Sequence, residues 1–161
     1  MTNLHAEELA LLPSLTHHAR VDLGLIKSPI EILKRLSDEL GVELSIKRDD
    51  ILPLGMGGNK VRQLEFYLGP AVQHKADTVV ISGAGQSNFV RLCAAAARKL
   101  GLHPVLQLEE RVAKDSQTYR SSGNVLLEKM LGADIHSFPE GENEAAADAS
   151  LDKIAQSLKD G

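Results

Sequence analysis

At 161 residues, 43% apolar, 3% aromatic and without tryptophan, the chain can bury one mostly aliphatic core and make one domain or slightly more. Its 18 basic residues against 22 acidic ones leave a formal charge of -4, which argues against the basic surface that tracks nucleic-acid phosphates. A lone cysteine, Cys93, excludes an internal disulfide, and no apolar run approaches the ~20 residues of a membrane helix. Met1 to Glu8 has neither the basic start nor the apolar stretch of a secretion signal, so no membrane association and a cytoplasmic protein are expected.

Residues 1–27 carry Leu11-Leu12-Pro13 and His17-His18 without a sustained period, which reads as an arm lying across another element. No further ligand stands at a metal-binding spacing from the two histidines, and no metal is expected. Ser28-Pro29-Ile30-Glu31 has the form of a helix start, with serine as N-cap, proline at the first helical position and glutamate closing a capping box. Ile30, Leu33, Leu36 and Leu40 then form its expected buried stripe, and Gly41 ends it. Val42 to Lys47 alternates with period two, as a strand with one wet face does.

From Asn59 to about Lys75 the pattern is helical, with Val61, Leu64 and Leu68 inward and an expected kink or break at Gly69-Pro70. Thr78 to Ser82 is a continuous apolar run suited to a strand covered on both faces. A helix follows from about Ser87 to Leu100, closed by Gly101, with Cys93 among Ala94 to Ala97 as a core filler. Pro104 to Leu108 is the next strand, and a charged loop leads to a helix from Gly123 to Leu131. Ile135 to Phe138 is a further strand, and Asn143 to Lys159 a last helix. Alternating strands and helices predict an α/β fold with an open parallel sheet and helical crossovers. The last helix ends on Asp160-Gly161 where another strand should follow, so the sequence reads as a truncated one.

Two loops carry the chemistry. Gly55-Met56-Gly57-Gly58-Asn59-Lys60 delivers a lysine to the first turn of a helix. At the positive end of a helix dipole the neutral amine gains over the ammonium, and a neutral amine is the nucleophile that captures an aldehyde. Most lysines after glycine turns are plain solvated charges; the second loop shifts that balance. Ser82-Gly83-Ala84-Gly85-Gln86-Ser87-Asn88 sits at the carboxyl end of a strand, where open parallel sheets bind ligands. Its glycines allow close backbone approach, while Ser87 and Asn88 add donors at a helix start that suits a carboxylate. Ser87 or Asn88 also serves as an N-cap. The dinucleotide pattern G-x-G-x-x-G fails at Asn88, and a Walker loop is absent.

Ile46-Lys47-Arg48-Asp49-Asp50, Gly57-Gly58-Asn59-Lys60-Val61-Arg62-Gln63-Leu64-Glu65-Phe66 and Gly85-Gln86-Ser87-Asn88, in this order, resemble the D-cysteine desulfhydrase and 1-aminocyclopropane-1-carboxylate deaminase family of pyridoxal-phosphate enzymes. The resemblance runs from about Leu25 to Leu131. It implies a tryptophan synthase β-subunit-like fold, with residues 1–60 belonging to an incomplete large cofactor domain and 61–161 forming a small α/β domain. It also implies that Lys60 holds pyridoxal 5'-phosphate and moves the substrate α-proton, with Asn59 setting the turn. Asn88 would bond the ring hydroxyl of the cofactor, and Ser87, with Gln86 and Asn88, would meet the carboxylate of a small amino-acid substrate. The implied reaction is β-elimination to pyruvate, ammonia and sulfide, in a family whose full-length members are expected to be homodimers. Ring opening of the cyclopropane amino acid is the close alternative.

Two departures bear on this expectation. Phe89 stands where the family usually carries Gln or His, and the family's phosphate cup and substrate tyrosines lie in a C-terminal half beyond this sequence, so the 161-residue chain alone is expected to be inactive or nearly so. A non-catalytic α/β fragment and a nucleotide-binding module using Gly83 to Asn88 remain as readings of a different class.

Overall fold

The computed structural model describes residues 13–113 and 116–160. The predicted arm's first twelve residues, and Gly161 as a cap, therefore lie outside the described residues. After a 3-10 turn at Pro13–His17 the chain forms no regular element until Ile30 and lies across its neighbours as an arm. Leu23 is buried, the Val21 N–H donates to Glu65 O at 2.9 Å, and Lys99 Nζ donates to Leu23 O at 2.9 Å. His17 and His18 are exposed.

The first helix does not begin at Ser28. Ile30–Ile32 is a strand, β1, paired antiparallel with β2 (Ser45–Lys47) in the register Ile30↔Lys47 and Ile32↔Ser45. Helix α1 covers only Lys34–Leu40 and ends at Gly41, whose φ of 68° supplies the left-handed turn expected there. Tertiary bonding overrides the capping box. The Ser28 hydroxyl is buried and donates to Asp49 Oδ1 at 2.5 Å, Lys47 Nζ donates to Ser28 O at 2.7 Å, and Glu31 pairs with Arg48 at 2.6 Å. With those groups engaged, the β-branched Ile30 and Ile32 take the extended conformation they favour. The expected buried stripe is open instead: Ile30 is 68%, Leu36 43% and Leu40 58% exposed.

Helix α2 (Val61–Gln73) buries Val61, Leu64 and Leu68 as the period requires. Gly69-Pro70 neither ends nor splits it. Gly69 is there for a close approach, since a Cβ on it would stand 2.2 Å from Ala19 O of the arm. Pro70 costs one helical bond near the end, where the His74 N–H still closes on Pro70 O at 2.9 Å.

From here strands and helices alternate: β3 (Thr78–Ala84), α3 (Asn88–Lys99), β4 (His103–Glu109), α4 (Gln117–Ser121), α5 (Gly123–Met130), β5 (Asp134–Phe138) and α6 (Glu144–Asp160). The three strands form a parallel sheet in the order β3-β4-β5, with Ile81 beside Leu106 and Leu106 beside Ile135. Central β4 is almost wholly buried, whereas β3, expected to be covered on both faces, is half-buried along its length because it forms the sheet edge. The short α4 falls inside what the sequence reads as a charged loop.

Leu106 and Leu108 pack with Val90 and Ala94 of α3 and Val125 of α5, while Gln107 between them turns the other way and donates to Ala147 O of α6 at 2.9 Å. On the far side of α3 a second cluster joins Leu92, Cys93 and Ala96 to Leu23, Leu52, Val61, Leu64 and Leu68. The alanines of α3 are all but inaccessible, letting the helix lie close on its neighbours. Burial pushes the Cys93 thiol up to about 12, as befits a packing residue. No helix among the described residues is long and apolar enough to cross a membrane.

Candidate active site

The lysine loop is shaped by glycines that no other residue could replace. Gly55, Gly57 and Gly58 all have positive φ, and a Cβ on Gly57 would come 1.9 Å from Asp50 O. Gly58 N–H donates to Asp49 O at 2.8 Å, closing the loop on the segment after β2. Met56 adopts φ 68°, an uncommon conformation for a residue with a side chain. Lys60 occupies the N-cap position of α2 and is half-buried; its backbone O accepts from the Gln63 and Leu64 N–H groups at 3.1 Å, while its side chain has no hydrogen bond or ion pair to any described residue, and Asn59 beside it is exposed.

Behind this loop Arg62 of α2 forks onto Asp49, its Nε at 3.0 Å and Nη2 at 2.9 Å from the carboxylate oxygens. Asp49 also accepts from Ser28, and the Arg62 contact leads the effects that hold its carboxyl at about 2. Farther along α2 the carboxylate of Glu65, fully buried, accepts from Arg20 Nε at 2.6 Å and from the Leu23 N–H at 3.0 Å, which anchors the arm.

The second loop leads into α3. The Ser87 side chain accepts from the Val90 N–H at 3.4 Å as N-cap. Gln86 is committed to its own neighbourhood: Nε2 donates to Tyr119 O at 2.7 Å and Ser122 O at 3.0 Å, and Oε1 accepts the Asn124 N–H at 2.9 Å. Asn88 is exposed, and its Oδ1 accepts from Asn124 Nδ2 at 3.0 Å. Phe89 packs edge-on to Tyr67 of α2 with ring centroids 6.2 Å apart, tying α2 to α3.

These pieces meet. An open cleft is lined by Gly57 and Gly58 of the lysine loop, by Asn88 and Arg91 of α3, and by Asn124 and Leu127 of α5. Ser87 directly precedes the lining residue Asn88, and Lys60 follows Gly58 by two positions, but neither lines the cleft itself. On the other side of the second loop, Gly85 borders a cavity of about 180 Å³ with Leu108, Tyr119 and Ile135, at the carboxyl ends of the parallel strands. Among the described residues no cluster of His, Cys, Asp and Glu gathers around a point that could hold a metal ion.

Sequence reasoning passed over Arg91, Asn124 and Glu128. Their spacing carries a signal: Asn88 and Arg91 stand three apart on α3, and Asn124 and Glu128 four apart on α5, so each pair shares a helix face.

Residues 21–160 match the family model described as pyridoxal-phosphate dependent enzyme. The chain is 43% identical over 148 residues to a D-cysteine desulfhydrase of Klebsiella pneumoniae (strain 342), covering 92% of this chain and 44% of that one. It is 46% identical over 127 residues to a D-cysteine desulfhydrase of Yersinia pestis (strain Pestoides F), covering 79% of this chain and 38% of the relative. The crystal structure of an ACC deaminase homologue superposes with a TM-score of 0.79 at 36% identity, over 97% of this chain and 45% of the other. The chain thus spans under half the length of the curated relatives it matches. With its glycine-shaped lysine loop, its serine-asparagine helix start and an α/β sheet shared with these proteins, the chain belongs to the pyridoxal-phosphate dependent enzyme family.

Proposed function

We propose that this chain supplies the lysine and substrate-loop portion of a pyridoxal-phosphate lyase of the D-cysteine desulfhydrase type, acting on a small amino acid. The observation that carries the reading is the meeting of the lysine loop and Asn88 at one cleft, with a partner-free Lys60 at the loop's end. The residues fit the ring end of the cofactor. Lys60 offers an unpaired amine for its aldehyde, and Asn88 keeps its Nδ2 without a partner among the described residues, a donor for the ring hydroxyl. Pyridoxal phosphate, when bound, supplies the electron sink for charge developing at the substrate α-carbon.

Lys60 Nζ would hold the cofactor and would serve as the base that takes the substrate α-proton. Asn59 sets the turn that places it. Ser87 keeps its hydroxyl hydrogen free to donate to the substrate carboxylate while its oxygen caps α3. Gln86 contributes by bracing the loop against α4 and α5. Loss of the β-substituent as thiolate, followed by hydrolysis of the remaining enamine by one water, would give pyruvate, ammonia and sulfide. We assign residues 1–60 to a larger cofactor domain and 61–161 to a small α/β domain, in a cytoplasmic enzyme working as a homodimer. No anion cradle for the phosphate is assigned among the described residues, so the 161-residue chain by itself binds the cofactor weakly and turns over little or nothing.

Reductive trapping tests the lysine. The chain is mixed with substoichiometric pyridoxal phosphate, reduced with borohydride and mapped by peptide mass spectrometry; Lys60 is expected to carry most of the label. Label spread evenly over the lysines, or a pattern unchanged in Lys60→Ala, overturns the assignment. Ring opening of 1-aminocyclopropane-1-carboxylate is the second reading, favoured by the similarity to the ACC deaminase homologue. Completing the chain with the C-terminal half of a relative and comparing sulfide release from D-cysteine with ammonia release from the cyclopropane amino acid separates the two.

A further inference from the structure

Arg91 is the least expected polar residue of α3. It is only 5% exposed, yet it has no hydrogen-bonded carboxylate partner. Its Nη1 donates to Gly55 O, and its Nη2 donates to Gly57 O at 3.1 Å and to Asn88 Oδ1 at 3.4 Å. The guanidinium therefore spans two of the three glycines of the lysine loop and the first residue of α3. Its Nε is buried without a partner, and so are both carboxyl oxygens of Glu128 on α5, which lies within range of the Arg91 charge but does not bond to it. A buried cation with unused donors grips the acceptors it does reach, because nothing else replaces the water it has lost.

The same contacts settle the Asn88 side chain. Two donors, Arg91 Nη2 and Asn124 Nδ2, converge on one Asn88 atom, which must then be the amide oxygen. Asn124 Nδ2 also donates to Gln86 O at 2.8 Å, so its own orientation is pinned by a backbone carbonyl. The Asn88 nitrogen is left as the free end of the amide at the cleft.

We propose that Arg91, assisted by Asn124, is the positioning residue of this site: it fastens the lysine loop to α3 and turns the Asn88 amide so that its nitrogen is the group offered to a ligand. The inference deepens the function proposed above and rests on it for the identity of that ligand; the clamp itself does not. Lysine cannot substitute, since a single ammonium lacks the planar fork that reaches three acceptors at once.

Amide hydrogen exchange on the 161-residue chain without cofactor reads the clamp directly. Gly57 N–H and Gly58 N–H are bonded to Leu54 O and Asp49 O, and in Arg91→Lys and Arg91→Ala they are expected to exchange at least tenfold faster while β4 amides keep their protection. Parental exchange at Gly57 and Gly58 in both variants overturns the proposal. So does loss of β4 protection in both, which makes Arg91 a residue of the whole fold and not of the loop. Reductive trapping of Lys60 by pyridoxal phosphate is expected to drop severalfold in Arg91→Lys, and an undiminished yield also counts against the clamp. Should the parental chain give no Lys60 label, the cofactor reading fails while the exchange result stands or falls separately.

Discussion

Gly57 shows how little freedom single residues of the lysine loop have. Its φ of 79° and the 1.9 Å approach of Asp50 O to any Cβ mean that Gly57→Ala must move the loop. We expect a loss of about 1–3 kcal/mol in urea unfolding and a loss of Lys60 trapping beyond what stability explains. Glu128 makes the opposite kind of prediction. Burial, partly offset by the Arg91 charge, raises its carboxyl from 4.5 to about 8, so the folded chain holds a proton that the unfolded chain releases. The stability this contributes is full below pH 4.5, declines as pH rises and is gone above about 8. Glu128→Gln keeps the protonated shape and cannot ionise. Its stability relative to the parent should grow between pH 5 and pH 9 by about 2–4 kcal/mol in urea unfolding, and a constant difference would refute the assignment. Neither residue's partner was legible from the sequence: a lone arginine or glutamate in a helix carries no mark of what another helix brings to it.

At the scale of elements, local pattern and tertiary demand agree in some places and compete in others. Helix α2 buries the residues its 3.6-residue period selects, because it has a core on one side to accept them, whereas α3 is buried without a break from Val90 to Ala97 because a cluster packs on each side of it. The Ser28 to Glu31 stretch has every local feature of a helix start, yet it pairs as a strand because Lys47, Asp49 and Arg62 claim the serine and Arg48 claims the glutamate. Sequence separation hides such competitors. The arm is held in the same non-local way by Glu65. Removing that carboxylate in Glu65→Ala takes the ion pair from half-buried Arg20 and leaves the buried Leu23 N–H without its acceptor, and about 3 kcal/mol of stability should go with it, together with faster proteolysis of residues 13–23.

Across the whole molecule, the apolar surface that does not find a core gathers on the β1-α1-β2 unit. Ile30 and Ile32 project from one face of β1 at 68% and 65% exposure, with Leu40 and Val42 nearby in the chain at 58% and 54%. Surface of that kind is uncommon on a solitary soluble chain and drives association. Sedimentation velocity is expected to show concentration-dependent self-association, relieved by Ile30→Glu with Ile32→Glu at an unchanged urea midpoint. A monomer at all concentrations would contradict this. The relatives are more than twice as long as the stretch they share with this chain, which gives such a face a natural place inside a larger architecture.

Periodicity and turn residues by themselves determined the β3-α3-β4 and α5-β5-α6 succession, the buried face of α2, and the two loops that carry Lys60 and Asn88, since each depends on residues close together in the chain. Only the tertiary structure decided that β3 lies at the sheet edge, that Ile30–Ile32 is a strand, and that Arg91 and Asn124 join the two loops. Those outcomes depend on hydrogen-bond partners up to 38 positions away, and a local pattern has no term for a partner it cannot reach.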